Sequence, residues 1–154
     1  MNAVEMRGIV KQYPLVRAVD GVDFSLAKGS VHSLLGENGA GKSTLMGILY
    51  GMTQADEGDI YINGEKIDIQ KPSQAIALRI GMVHQHFMLA PVMTVTENII
   101  VGSEPGGQFL NYKKASKEVG EMIDRYNFQL DPNAKVQSLS VGQQQRVEIL
   151  KALY

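Results

Sequence analysis

The chain has 154 residues, 44% of them hydrophobic and 20% charged, which is the make-up of a folded domain with a core and excludes a disordered tail. A formal net charge of −1 gives no global field toward nucleic acid or anionic lipid, so nucleic acid is not an expected partner. There is no cysteine, which excludes disulfides and thiolate metal sites. No run approaches the roughly 18 apolar residues of a membrane-spanning helix, and Met1 to Arg7 lacks the apolar core of a signal peptide, so a cytoplasmic protein is expected.

In chain order, Val4 to Val10 reads as a strand, Tyr13-Pro14-Leu15 as a loop, and Val22 to Leu26 as an alternating, half-buried strand. Ala27-Lys28-Gly29 is a turn leading into the β-rich stretch Ser30 to Leu35, read as a strand. Leu45, Met46, Ile48 and Leu49 then recur at helical spacing, with Gly51 placed to cap the helix. Asp59 to Ile62 and Lys66 to Ile69 flank Asn63-Gly64, a strong two-residue hairpin signal. Ser73 to Leu78 suits a short helix, and Ile80 to His84 a further strand. From Asn98 onward the periodicity is helical. Ala115, Val119, Met122, Ile123 and Tyr126 share one face, with charged residues largely off it. Gly102 to Gly107 is a breaker-rich loop, Asp131-Pro132-Asn133 ends the helical zone, and a last helix starts near Ser140 or Val141.

Between the stretch at Ser30 and the helix at Leu45 lies Gly36-Glu37-Asn38-Gly39-Ala40-Gly41-Lys42-Ser43-Thr44, which fits G-x-x-x-x-G-K-[ST], the phosphate-binding P-loop. Glycines let successive backbone N–H groups turn toward a phosphate. The helix start adds its unpaired donors and the positive end of its dipole. Lys42 supplies a point charge for the β- and γ-phosphates, Ser43 a hydroxyl for Mg²⁺, and Thr44 a second hydroxyl beside it. The nucleotide-binding set read from this loop is Gly36, Asn38, Gly39, Ala40, Gly41, Lys42, Ser43 and Thr44. Farther on, in Leu139-Ser140-Val141-Gly142-Gln143, Ser140 is a helix N-cap with Gln143 as its capping-box partner, and such a start is also an anion site.

This last stretch resembles the signature motif of ABC-type ATPases, usually written LSGGQ. Only Val141 departs from it, and a helical φ there accommodates valine. By the same resemblance Gln85 corresponds to the Q-loop glutamine, which reaches Mg²⁺ and the attacking water. Tyr13 corresponds to the aromatic that stacks on adenine, and Ser140, Gly142 and Gln143 to the part that faces the nucleotide of a second ATPase unit. The likeness covers nearly the whole chain. Ile80 to Leu89, Met93 to Ile99 and Leu139 to Leu153 are similar to ATP-binding subunits of simple-sugar and nucleoside importers, in which one polypeptide often carries two ATPase halves. This chain resembles the start of the first half.

The resemblance implies an α/β P-loop NTPase core with an antiparallel β subdomain, here expected over 1–97, and a helical subdomain over 98–154 that ends in the signature helix. It implies ATP and Mg²⁺ as cofactors, with Lys42 and Gln85 in catalytic roles and Ser43 and Gln85 on the metal. The implied partners are transmembrane permease subunits and a second ATPase half or subunit, with a solute-binding protein engaged indirectly. The implied location is the cytoplasmic face of the cell membrane, as a peripheral subunit.

The family's Walker B strand, four apolar residues followed by Asp-Glu, has no match. Glu121 to Asp124 and Phe128 to Asp131 are too polar before their aspartates. A truncated ATPase domain is therefore expected, with an incomplete central sheet, exposed strand edge and apolar surface, and negligible hydrolysis alone. Met82, Met88 and Met93 read as core or interface filling. One alternative is a non-transport ABC-type ATPase acting on ribosomes or DNA. A P-loop kinase would leave Leu139 to Gln143 unexplained, and a GTPase would need an Asn-Lys-x-Asp motif, whereas no Asn-Lys pair occurs.

Overall fold

The computed structural model describes residues 1–104 and 111–154. The later part of the breaker-rich stretch Gly102 to Gly107 lies outside the described residues. The chain forms two compact units, Met1–Gly81 and Met82–Tyr154.

The first unit is built on a four-stranded antiparallel sheet. β1 (Asn2–Tyr13) and β2 (Val16–Ala27) form a hairpin in which Tyr13 lies opposite Val16 across Pro14-Leu15. β3 (Glu57–Ile62) pairs with the other edge of β1, and β4 (Glu65–Ile67) follows it, giving the order β2-β1-β3-β4. The Asn63-Gly64 hairpin forms as read: the two residues take φ 54° and 91°, the left-handed pair that matches strand twist.

Val4 and Met6 lie opposite Ile62 and Ile60 and are buried with them. Strict alternation would then turn Ile9 outward. A register irregularity between Met6 and Ile9 shifts the phase, with the Gly8 N–H donating to Asp23 Oδ1 at 2.6 Å, and Ile9 is buried as well. Against this face pack Leu45 and Ile48 of α1 (Lys42–Tyr50) and Ala75 of α2 (Pro72–Ala77). Gly51 caps α1 in the left-handed conformation, as expected from the sequence.

The second unit is helical. α3 (Val95–Ile100), α4 (Tyr112–Arg125) and α5 (Val141–Leu153) enclose Val95, Ile99, Ala115, Val119, Ile123, Val147 and Leu150. α3 begins three residues before the helical periodicity read from Asn98. Its start is set by Thr94, which accepts from Glu97 N, while Glu97 reaches back to Thr94 N. The buried line of α4 follows the face read from the sequence through Ile123, whereas Tyr126 at its C-cap is exposed.

Two expected strands are corrected. Ser30 to Leu35 and Ile80 to His84 carry no strand ladder. Val31 is 100% and Leu35 89% exposed. Their β-rich composition suits extended backbone, but a strand is defined by a ladder with a neighbouring strand, and no described strand forms one with either stretch. Met88 and Met93 do not fill the core, since both are exposed, which leaves interface filling as the reading for them. The fold is α/β with an antiparallel β part, a helical part and an incomplete central sheet.

Candidate nucleotide site

α1 starts at Gly41, which takes φ 84° and contributes no side-chain cap. Two constraints meet at this residue. A left-handed φ penalises any side chain, and an added Cβ would lie 2.1 Å from the backbone oxygen of Ala18 in β2. The loop is thereby seated against the first hairpin. A Cβ on Gly36 would meet Ala40 Cβ at 3.3 Å and Lys42 Cδ at 3.7 Å, so side-chain bulk there would enter the turn itself. Lys42 folds over the loop, its Nζ donating to the carbonyls of Gly36 and Glu37 at 2.7 Å each. The ammonium is held at the mouth of the loop by neutral acceptors, which an anion can replace with stronger charge-assisted bonds.

Tyr13 belongs to the same unit. It lies opposite Val16, two residues before the Ala18 that touches Gly41; the residue is 38% exposed, with Lys11 Nζ 5.7 Å from the ring centroid. Asp56 braces this end of the hairpin by accepting from the Gln12 N–H at 2.7 Å and from Lys11 Nζ at 2.8 Å. The Gln12 amide bond first, and then Lys11, hold the Asp56 carboxyl below its ordinary pKa.

The other site residues belong to the second unit. Ser140 caps α5: its Oγ accepts from Gln143 N at 3.4 Å, and Gln143 Oε1 accepts from Ser140 N at 3.0 Å and Oγ at 3.1 Å. Val141 takes the first helical position, and Gly142 is exposed in the first turn, with open space around a Cβ built on it. Gln85 is exposed on a bend. Three residues beyond it, the Met88 backbone is gripped by α5: its N–H donates to Glu148 Oε1 at 2.6 Å, and its carbonyl accepts from Lys151 Nζ at 3.1 Å. Asn98 of α3 holds Ala90, accepting from its N–H at 2.7 Å and donating to its carbonyl at 3.1 Å. Sequence reasoning did not single out Asn98, Glu148 or Lys151. The available signal was a charged residue inside the apolar run Val147-Glu148-Ile149-Leu150.

The structure thus places Tyr13 at the end of the hairpin whose Ala18 abuts Gly41 within one unit, and the segment after Gln85 onto α5 within the other. Phosphate fits the first arrangement, where glycine-shaped backbone, a helix start and an ammonium converge. Among the described residues no group of three or more His, Cys, Asp or Glu could hold a metal ion. A hydroxyl such as that of Ser43 suits Mg²⁺ only when nucleotide phosphates and water complete its shell. No described helix is long and apolar enough to cross a membrane.

A glycine loop running into a helix, an antiparallel β part and a helical part are shared with solved ATP-binding cassettes. The family model described as "ABC transporter" matches residues 19–154, and the chain belongs to this family. It is 51% identical over 153 residues to the guanosine import ATP-binding protein NupO of Bacillus subtilis, covering 98% of this chain and 30% of that protein. It is 46% identical over 151 residues to the ribose import ATP-binding protein RbsA 3 of Rubrobacter xylanophilus, covering 97% of this chain and 30% of that protein. A solved ATP-binding cassette of an ABC transporter in its ADP conformation superposes with a TM-score of 0.84 at 30% identity, covering 99% of this chain and 65% of that one. The chain therefore spans about 30% of the length of the curated relatives it matches.

Proposed function

We propose that this chain is the nucleotide-binding portion of the first ATPase half of an importer for a nucleoside or simple sugar. The observation that carries the reading is the P-loop geometry: α1 begins at a bare Gly41 pressed against β2, with Lys42 poised over the loop. Backbone amides of Gly36 to Thr44 and the start of α1 receive the phosphates of ATP, and Lys42 exchanges its two carbonyl partners for phosphate oxygens. Tyr13 stacks on the adenine, where a base–aromatic contact contributes about 1–3 kcal/mol. Ser43 and Gln85 would hold Mg²⁺, which when bound offsets phosphate charge during transfer. Ser140, Gly142 and Gln143 would face the nucleotide of a second ATPase half or subunit, and permease subunits would dock at the cytoplasmic face of the membrane. The importer names of the relatives support the solute class.

Hydrolysis by these 154 residues alone is expected to be negligible, because no apolar strand ending in Asp-Glu is present to hold the metal shell and polarise water. Titration of the chain with a fluorescent ATP analogue plus Mg²⁺, with unlabelled ATP and GTP as competitors, tests the reading. Saturable binding displaced by ATP supports it, and absence of binding sinks it. Normal phosphate release would overturn the expectation on hydrolysis. Capture of permease subunits by the longer polypeptide supports the transport role, while capture of ribosomes would favour a non-transport ATPase.

A further inference from the structure

Glu148 is an acidic side chain that the proposed chemistry does not use, yet it is only 4% exposed. Burying a carboxylate is unfavourable unless hydrogen bonds compensate it. Among the described residues its hydrogen-bond partner is the Met88 N–H, at 2.6 Å. Lys151, one turn farther along the same face of α5, takes the carbonyl of the same residue at 3.1 Å. The Met88 side chain itself is 63% exposed, so this residue is anchored by its peptide groups and not by its side chain. Asn98 treats Ala90 in the same way from α3, and α3 and α5 share one core. Side chains from two packed helices thereby do for Met88 and Ala90 what a neighbouring strand does in a sheet. This explains how a segment without a ladder is held.

We propose that Glu148, with Lys151, is a positioning residue for Gln85: it ties the helix that starts at Ser140 to the backbone three residues after Gln85, so that this glutamine and the Ser140–Gln143 turn are carried as one piece. The significance of the tie rests on the reading of both as parts of a nucleotide site. The tie itself rests on the geometry. α5 spans about 12 Å from its Ser140 cap to Glu148 at 1.5 Å per residue, and a packed helix of that length transmits a displacement without bending. A buried, charge-assisted bond at one end and a capped turn at the other make α5 a lever between them.

The test is amide exchange and ¹⁵N relaxation on the 154-residue chain. Glu148→Ala is expected to speed exchange of the Met88 amide about 10-fold or more and to lower the backbone order parameter at Gln85, while Ile99 and Ile100 in the neighbouring core keep their exchange rates. Glu148→Gln keeps an acceptor oxygen and should return Met88 to within about 3-fold of the wild type. Lys151→Met removes only the carbonyl contact; it should give a smaller loss of order at Gln85, and it remains informative if Glu148→Ala does not fold. Unchanged Met88 exchange in Glu148→Ala overturns the tie. So does a uniform loss of protection at Met88, Ile99 and Ile100 that glutamine does not rescue, or a Met88 effect without any change at Gln85. Failure of the nucleotide-binding reading would appear in the wild type, as absent ATP binding. Failure of this inference would appear only in the variants.

Discussion

The two helix starts that carry the motifs are built in opposite ways. α1 begins at Gly41, which has a left-handed φ and no side chain to offer. α5 begins at Ser140, whose hydroxyl accepts from Gln143 N while Gln143 reaches back to Ser140 N. The first amides of any helix lack intrahelical partners. At α1 an anion is the natural partner, and at α5 the chain's own side chains serve. An anion can bind at either start by helix physics, but at α5 the capping box already occupies the Gln143 amide. A phosphate arriving at α5 must displace a capping box, so on the proposed function the P-loop binds first.

The comparison can be broken most severely at Gly41. Gly41→Ala places a Cβ on the Ala18 carbonyl at an unfavourable φ, and a loss of about 3 kcal/mol or more should appear as a fall in Tm together with lost ATP binding. Next in size, Lys42→Ala should weaken ATP binding about 30-fold or more by removing a charge-assisted contact, with Tm nearly unchanged because its present partners are loop carbonyls. Equal affinity by calorimetry would show that α1 does not depend on this charge. Tyr13→Ala should cost about 1–3 kcal/mol of affinity for ATP and leave affinity for inorganic triphosphate unaffected. Loss with both ligands would mean that the ring supports the hairpin instead. Ser140→Ala sharpens the contrast from the other side: about 1 kcal/mol of stability is lost with the cap, and ATP affinity of the single chain stays the same.

The smallest effect is expected from acid. The Asp56 carboxyl has a folded pKa below its unfolded value, held there by Gln12 and then Lys11. Below about pH 4 the unfolded chain therefore takes up the proton first. The stabilisation from Asp56 is complete above that pH and is lost as pH falls through the lower folded value. Asp56→Asn should flatten this limb of a Tm-versus-pH curve, and an unchanged limb would remove Asp56 from the bracing of Tyr13's hairpin.

Much of the site could be read directly. The P-loop, the Asn63-Gly64 hairpin, the Gly51 cap and the Ser140–Gln143 box all formed where the residues placed them. The Thr94–Glu97 box was readable by the same rule and was passed over, which is why α3 begins earlier than its apolar period suggests. The misses have a common origin. Ser30 to Leu35 and Ile80 to His84 have strand composition, but a ladder needs partners that no local pattern reveals. Glu148 looks like a solvated charge until Met88, sixty residues away in sequence, is laid beside it.

The sequence by itself determined whatever is decided within about four residues: helix caps, the primed turn, and a glycine loop leading into a helix. Those contacts close through short spans of backbone, and residue type alone selects them. Only the tertiary structure decided that Gly41 must lack a side chain because β2 passes behind it, that the stretch ahead of the P-loop joins no strand ladder, and that a buried glutamate holds the segment after Gln85. Each of these depends on which distant residues arrive alongside, which is fixed when the core closes.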